Sequence, residues 1–443
     1  MSNDKILVVD PYLEYLDQTA SDIINYYEKT RDNLSKNHCL GEHTTNPNND
    51  DQDQDQDQDQ DQIEDYYDED QIDEQIDRQT QEYYQSISPQ IDQKITDFQS
   101  RTITSFNNTG IQVGKLNNEV KTILLNLIKK YAQSANVDYH PGSSNRVRDL
   151  VHPSVYPFIK GKKAKANKTD FWKRPYESSK YQWLPSEFSI DSDGKCKIES
   201  YINNLPIDKM LIYSTIEYLF DQVFPELEKA WSYANTIKIY DDDSEYDIGG
   251  VNEKELVVHS LKNRRLQVIT KIVQITLGPK EKFPGSWHVE GMSHENIVAT
   301  ASCTLEQEEG FEAQLNFKRT YLEEEAGYLV LNTPQYPPNP VSDLYSKSLV
   351  PVGKTDITDG SLVVFPNNFV HKIDMENKSI EPKTRTILVF WLINPNVQIK
   401  STKDIEQQTY DWEKAKEVRL ELMKERTFYK QTFNQREINL CEH

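Results

Sequence analysis

The sequence predicts an α+β protein in which a barrel or sandwich of short strands is covered by helices. Before residue 255 apolar residues recur at helical spacing, whereas from about 256 to 400 they alternate every two residues, as in strands. Several short strands in succession favour a barrel or sandwich. The last strand is apolar on both of its faces, so a second layer has to cover its outer side.

Four segments are expected along the chain. Residues 1–100 form an N-terminal segment, 101–255 a mainly helical cover, 256–402 the β domain with the metal site, and 403–443 a C-terminal helix and tail. The first segment contains the repeat DQDQDQDQDQDQ at 51–62. Such a polar and charged tract cannot bury enough apolar area to offset the entropy of ordering, so we expect it to be disordered.

The helices are predicted from the spacing of apolar residues. In residues 117–134 the apolar side chains share one helical face: Val120, Ile123, Leu124, Leu127 and Ile128. Residues 207–234 form one or two further helices, with Pro225 expected to break them. A charged helix over 408–433 closes the chain.

Five strands are predicted between these helical segments. They are residues 265–277, 296–307, 312–321, 360–366 and 384–393, separated by turn sequences such as Asp359-Gly360. In the last strand Ile387, Val389 and Trp391 share one face, and Leu388, Phe390 and Leu392 share the other. The helices before residue 255 are the expected cover of its outer side.

Composition excludes several classes of function. The net charge is −22, but residues 50–78 hold 15 acidic residues against one arginine and so account for −14 of it. The remaining charge argues against binding to nucleic acid. The four cysteines, Cys39, Cys196, Cys303 and Cys441, are widely spaced, as expected of reduced thiols. No apolar run is long enough to span a membrane, so we expect a soluble, cytoplasmic protein.

The segment GSWHVEGM, residues 285–292, carries the first chemical signal. On a strand, side chains two residues apart share a face, so His288 and Glu290 would project together. His371, which follows the apolar strand GSLVVFP, is the candidate third ligand. Two histidines and one carboxylate form the facial triad that holds non-heme Fe(II), so these three residues are the predicted metal-binding and catalytic group.

Arg385 is the second signal. It lies on the last strand, on the same face as Ile387, and an ionised guanidinium on a buried strand requires an anionic partner. Arginine suits bidentate recognition of a carboxylate. Its partner is either a protein carboxylate or the carboxylate of a ligand near the metal.

This combination resembles the Fe(II)- and 2-oxoglutarate-dependent dioxygenases over about residues 265–400. The resemblance implies a double-stranded β-helix of the jelly-roll or cupin-like type. It also implies that His288, Glu290 and His371 bind Fe(II), that Arg385 binds the far carboxylate of 2-oxoglutarate, and that O2 is consumed. The substrate, a small molecule or a protein, would be hydroxylated or demethylated.

Most of the chain also resembles a domain family of unknown function from eukaryotic microbes. The segments that carry this second resemblance are DLVHPSVYPF (149–158), YQWLP (181–185), SYINNLP (200–206), WHVEGMSHENIVAT (287–300) and INPNVQIKST (393–402). The resemblance indicates kinship and implies nothing about the substrate.

Two departures from the dioxygenase pattern matter. The carboxylate ligand is Glu290, where most of these enzymes have aspartate, and no serine stands two residues after Arg385. The candidates for the missing hydroxyl are Thr300, Ser302 and Thr304, which alternate on one face of the strand after the motif. We therefore expect Arg385, Thr300 and Ser302 to bind the cosubstrate.

Two alternatives stay open. The same ligands would serve zinc or another metal in a cupin-like hydrolase or isomerase. The domain would otherwise be a non-catalytic ligand-binding β-helix. Of the other histidines, His140 and His152 are interpreted as structural, and His294 with Glu295 as a solvated turn. Oligomeric state is not readable from the sequence.

Overall fold

The computed structural model describes residues 110–160, 179–236, 256–319, 350–407 and 411–435. It also describes short pieces at 8–9, 78, 82, 102–103 and 249–250. The predicted disordered tract at 51–62 lies outside the described residues. None of the described helices combines the length and apolar character needed to cross a membrane.

Three α-helices and sixteen strands are present in the described part of the chain. The helices are α1 Asn118–Ser134, α2 Met210–Thr236 and α3 Trp412–Gln435. The strands up to residue 250 are β1 Val8–Val9, β2 Gln112–Lys115, β3 Val147–Val151, β4 Phe158–Ile159, β5 Tyr181–Gln182, β6 Ser186–Ile190, β7 Cys196–Ile198 and β8 Gly249–Gly250. The later strands are β9 Arg265–Leu277, β10 Lys282–Pro284, β11 Ile297–Gln307, β12 Phe311–Arg319, β13 Val350–Ile357, β14 Ser361–Pro366, β15 Phe369–Asn377 and β16 Lys383–Ile393.

Two antiparallel sheets contain most of the strands. The larger has the order β2-β14-β11-β16-β9-β6-β7, and β3 pairs with the same edge of β9 as β6 does. The smaller has the order β10-β15-β12-β13. Sequence neighbours such as β14 and β15 therefore lie in different sheets, which brings residues distant along the chain to the space between them.

The core is divided into three regions by the larger sheet. Its outer face, with Leu388, Phe390 and Leu392 of β16, packs against α1 and α2. Part of its inner face packs against the smaller sheet, with β9 and β14 contacting β12 and β15. The rest of the inner face, with Val389 and Trp391, is covered by Trp183 and α3. The predicted mixed α+β architecture with a helical outer layer is confirmed.

The predicted strands all appear with small shifts at their ends, but three features differ from expectation. The expected break at Pro225 is wrong: α2 continues through the proline, because its buried residues Phe220, Phe224 and Leu227 pack on the larger sheet and outweigh one lost hydrogen bond. Residues 101–255, expected to be mainly helical, also supply strands to the larger sheet. The strands β13 and β15 were not predicted, because polar residues interrupt their apolar alternation.

We predict that Phe390→Ala destabilises the protein by about 3–5 kcal/mol, because the ring is fully buried against Phe188 and Phe220 beneath the helical layer. Chemical denaturation measures the change. Ile380→Ala is the control, since Ile380 is 80% exposed, and it should shift the free energy of unfolding by less than about 0.5 kcal/mol. Equal effects of the two substitutions would contradict the assigned outer core.

Candidate metal centre

A single pair of backbone hydrogen bonds brings His288 and His371 together. The His288 N–H donates to the His371 carbonyl at 3.0 Å, and the His371 N–H donates to the His288 carbonyl at 2.9 Å. Residues that exchange both bonds are directly opposite each other, so their side chains share one face. The two imidazole rings lie 4.4 Å apart between centroids.

A bulge separates this pair from the regular part of the sheet. The pairs Pro284–Asp374 and His288–His371 are four residues apart on the first segment but only three residues apart on β15. The first segment therefore contains one extra residue. Gly285 lies in the bulge, where a Cβ atom would stand 2.2 Å from the Ile373 carbonyl oxygen. Only glycine permits so close an approach of the two backbones.

Glu290 does not lie on a regular strand, contrary to the expectation for the motif. It occupies a bend, and the next residue, Gly291, has a φ of +68°, a conformation that favours glycine. The bend turns the carboxylate back towards the two imidazoles. The glycines at positions 285 and 291 of GSWHVEGM thus shape the chain on either side of His288 and Glu290.

The three side chains converge as expected. Oε1 of Glu290 lies 3.4 Å from Nε2 of His371 and 3.8 Å from Nε2 of His288, and one ligand atom from each residue lies within 4.8 Å of the others. The exposed fraction of the side chain rises from 6% at His371 through 16% at Glu290 to 31% at His288. The cluster therefore opens to solvent on the His288 side.

Hydrogen bonds at the far side of each ring hold a proton on Nδ1. Nδ1 of His288 donates to the Ser286 carbonyl at 2.7 Å, and Nδ1 of His371 donates to the Phe369 carbonyl at 3.3 Å. A neutral imidazole protonated at Nδ1 presents a lone pair at Nε2. Both Nε2 atoms face Glu290, so the cluster directs electron pairs from three side chains at one point.

The electrostatics of the cluster agree with this assignment. Burial lowers the pKa of His371, which favours its neutral form. Burial alone would raise the pKa of Glu290, but its contacts with His288 and His371 outweigh burial and hold that pKa well below its usual value. A neutral His371 and an ionised Glu290 are the forms that bind a divalent cation.

Asn367 holds the backbone around Glu290. Its Oδ1 accepts from the Glu290 N–H at 3.1 Å, and its Nδ2 donates to the Glu290 carbonyl at 3.0 Å and to the Ile297 carbonyl at 3.1 Å. One side chain thus satisfies both polar groups of the Glu290 backbone. Asn367 stands in the PNN turn before His371, but nothing in the sequence of that turn indicates its contact with Glu290.

Glu295 is a buried anchor and the expectation of a solvated turn is wrong for it. Its side chain is inaccessible and accepts from the backbone N–H groups of Trp183 and Met292, at 2.6 and 2.9 Å, and from Arg426 of α3. The Arg426 guanidinium also lies 3.9 Å from the centroid of the Trp183 ring. The carboxylate of Glu295 therefore joins three segments: α3, the YQWLP segment and the loop that follows Glu290.

Arg385 is fully buried and has no carboxylate partner among the described residues. Its Nη2 donates to Oγ1 of Thr304 at 3.2 Å, while Nε and Nη1 have no hydrogen-bond partner in the described part of the chain. Burial lowers the pKa of the guanidinium to about 10, so it stays charged at neutral pH. A buried cation without a partner costs several kcal/mol, which indicates that a ligand supplies the anion.

The register of β11 places the candidate hydroxyls. Thr304 lies opposite Ile387 of β16, Ser302 opposite Val389 and Thr300 opposite Trp391. All three share the inner face with Arg385, as expected from their alternation. The hydroxyl that contacts the guanidinium is that of Thr304, while Thr300 and Ser302 lie further along the strand.

A second cluster of potential ligands contains His140, Asp149 and His152. Nδ1 of His140 bonds Oδ2 of Asp149 at 2.9 Å, and Nη1 of Arg419 lies 3.5 Å from the same oxygen. The guanidinium, which also pairs with Asp138 at 2.6 Å, already supplies positive charge beside the carboxylate. We interpret this cluster as the structural network that the sequence predicted for its histidines.

Comparison with known families identifies the chain. A model of the family described as "Protein of unknown function (DUF4246)" matches residues 114–245 and 228–416, so the chain belongs to this family. The match spans the three candidate metal ligands and Arg385. A comparison with curated proteins finds no match.

Solved structures with some similarity include three proteins. IDO from Bacillus thuringiensis is 10% identical, with 66% of this chain and 97% of that chain covered and a TM-score of 0.29. EvdO2 from Micromonospora carbonacea var. aurantiaca, complexed with 2-oxoglutarate, is 11% identical, with 69% and 98% covered and a TM-score of 0.23. A non-heme monooxygenase, the ThoJ-Ni complex, is 10% identical, with 37% and 67% covered and a TM-score of 0.20. TM-scores this low do not establish a shared function.

We predict that Asn367→Ala weakens metal binding by about 10- to 100-fold, because the Glu290 backbone loses the side chain that orients it. Calorimetric titration with Mn(II) measures the affinity. The control is Asn316→Ala, whose amide bonds Asp374 at 3.1 Å on a strand of the smaller sheet and does not contact the cluster. An unchanged affinity in Asn367→Ala would show that Glu290 is not positioned in this way.

Proposed function

We propose that this protein is an Fe(II)- and 2-oxoglutarate-dependent oxygenase that hydroxylates or demethylates a substrate. The observation that carries the proposal is the pairing of two features on the inner side of the sheets. One is a cluster of two imidazoles and a carboxylate with its lone pairs directed inward, and the other is a buried guanidinium with no anion among the described residues. A metal ion would complete the cluster, and the carboxylate of a ligand would pair with the guanidinium.

The donor set fits Fe(II). His288 and His371 would bind it through Nε2, and Glu290 would bind it through a carboxylate oxygen, which is the two-histidine, one-carboxylate set of non-heme iron oxygenases. The backbone carbonyls of Ser286 and Phe369 hold the rings in the required tautomer. Three protein ligands leave further positions for cosubstrate and O2.

When bound, the iron and 2-oxoglutarate supply oxidising chemistry in which O2 is consumed, 2-oxoglutarate loses CO2 to become succinate, and a substrate C–H bond becomes C–OH. Where the hydroxylated carbon is a methyl group on nitrogen or oxygen, the product breaks down to release formaldehyde, which is a demethylation. Both outcomes follow from the same step.

The chain's own residues orient the cosubstrate and exclude water. Arg385 would hold the carboxylate of 2-oxoglutarate remote from the metal through its free Nε and Nη1 donors, with Thr304 steadying the guanidinium. The neighbouring core between the sheets is apolar and includes Phe317 and Phe365, whose rings lie 6.4 and 4.8 Å from that of His371. An apolar wall strengthens the ion pair by removing water from it.

The architecture is compatible with this assignment. We propose that the two facing sheets form a double-stranded β-helix, and that residues 256–402 act as the metal-binding domain. In this arrangement 101–255 and 403–443 serve as its cover, while 1–100 lies outside the catalytic unit. A zinc-dependent hydrolase would use the same three ligands, but the unpaired Arg385 favours a reaction with an anionic cosubstrate.

We predict that Arg385→Ala weakens binding of 2-oxoglutarate by at least about 30-fold, because loss of a buried charged partner costs about 2–5 kcal/mol. Anaerobic titration of the Fe(II)-loaded protein, followed by the metal-to-2-oxoglutarate absorption band, measures the affinity. Arg148→Ala is a matched control, because Arg148 bonds the Ala132 carbonyl and pairs with β9 away from the cluster. Unchanged binding in Arg385→Ala would count against the proposed function.

The role of Thr304 gives a second prediction. Thr304→Val removes a single hydrogen bond to the guanidinium and should weaken 2-oxoglutarate binding about 5-fold, the effect of about 1 kcal/mol. Ser302→Ala, two residues away on the same face of β11, should change the affinity by less than 2-fold. The same titration measures both variants, and the reverse order of effects would assign the hydroxyl role to Ser302 instead.

A further inference from the structure

Lys271 is a cation on the inner face of the larger sheet. In the register of β9 and β16 it lies opposite Val389, between the pairs Ile269–Trp391 and Val273–Ile387. Its side chain therefore points to the same side as Arg385. The neighbouring positions on this face are apolar, so a lysine stands out among them.

The ammonium group of Lys271 has no ion pair and no hydrogen bond with any described residue. It lies over the ring of Trp391, whose centroid is 5.9 Å from Nζ. Lys271 acts electrostatically on the carboxylate of Asp149, which is already bonded to His140 and lies 3.5 Å from Arg419. Lys271 is half-buried and thus has no protein acceptor among the described residues.

Two buried neighbours share this condition. Nε1 of Trp391 and Oγ1 of Thr300 are buried, and neither has a hydrogen-bond partner in the described part of the chain. Thr300 pairs directly with Trp391 across β11 and β16. Since buried polar groups are nearly always satisfied, these two unsatisfied groups beside the half-buried Lys271 indicate a ligand that supplies hydrogen-bonding groups and an anion.

A continuous row of side chains joins this group to the metal centre. The ring of His371 lies 4.8 Å from that of Phe365, and Phe365 pairs with Thr300, which pairs with Trp391 beside Lys271. The row crosses three strand spacings, about 14 Å. A ligand that lay along these side chains would have one end at the candidate metal centre and the other end at Lys271.

We propose that Lys271 binds an anionic group, a carboxylate or a phosphate, on the substrate. The indole N–H of Trp391 and the hydroxyl of Thr300 would provide further hydrogen bonds to the same molecule. This inference rests on the proposed function, because it takes the metal centre as the place of reaction and assigns the other anion site, at Arg385, to the cosubstrate. The substrate is therefore an acid whose charged group is remote from the carbon that is oxidised.

The test uses the full-length protein loaded with Mn(II) and 2-oxoglutarate. Three probes of similar size, phenyl phosphate, benzoate and neutral benzyl alcohol, are titrated into it by calorimetry. We expect at least one of the two anions to bind about 10-fold or more tightly than benzyl alcohol, the advantage of a charged hydrogen bond. The order of the two anions distinguishes a phosphate from a carboxylate.

Lys271→Met keeps the length of the side chain and its contact with Trp391 but removes the charge. We expect it to weaken binding of the preferred anion by about 10-fold or more, to leave benzyl alcohol unaffected, and Lys271→Arg to restore anion binding. The matched control is Lys318→Met, because Lys318 also lies over a tryptophan ring, 4.7 Å from Trp287, but on the opposite face of the smaller sheet to His371. Lys318→Met should leave anion binding unchanged.

Three results would overturn the proposal: no preference of the wild type for an anion, equal anion binding in Lys271→Met, or loss of 2-oxoglutarate binding in Lys271→Met. The last result would assign Lys271 to the cosubstrate. Titration of wild-type protein with 2-oxoglutarate reports on the proposed function separately. If that titration fails while the anion still binds through Lys271, the oxygenase assignment falls and the anion site stands.

Discussion

The site depends on the mutual backbone hydrogen bonds between His288 and His371. They join the end of an irregular segment after β10 to β15, and they bring two imidazoles from distant parts of the sequence to one face. The bulge at Gly285, the bend at Glu290 and the amide of Asn367 then set the third ligand against that pair. If the backbone pair shifted by one residue, the two histidines would point to opposite sides of the sheet.

The buried cations divide into two groups. Arg419 and Arg426 of α3 each meet carboxylates, those of Asp138 and Glu295, and so attach the last helix to the rest of the fold. The buried Arg385 and the half-buried Lys271 have no ion pair with any described residue, and both lie on the inner face of the larger sheet. Carboxylates thus accompany the two cations that attach α3, whereas no described carboxylate pairs with Arg385 or Lys271.

Much of the fold was predictable from the sequence, because β9, β11, β14 and β16 are all rich in apolar residues, and β14 and β16 contain continuous apolar runs. The candidate ligands and Arg385 were also identifiable, since each is a polar residue beside an apolar strand. The bend at Glu290 and the role of Asn367 were not, because both arise from a bulge that depends on contacts between distant segments. Glu295 and Arg426 were missed for the same reason: each has a polar sequence context, and their burial appears only when α3 packs on the sheet.

The most direct test of the account is an anomalous diffraction measurement at the iron absorption edge, on crystals grown anaerobically with Fe(II) and 2-oxoglutarate. The account predicts one strong peak roughly 2.0–2.2 Å from Nε2 of His288, Nε2 of His371 and a carboxylate oxygen of Glu290, the usual range for such ligands. A peak at His140, Asp149 and His152 instead, or none between the three predicted ligands, would contradict it.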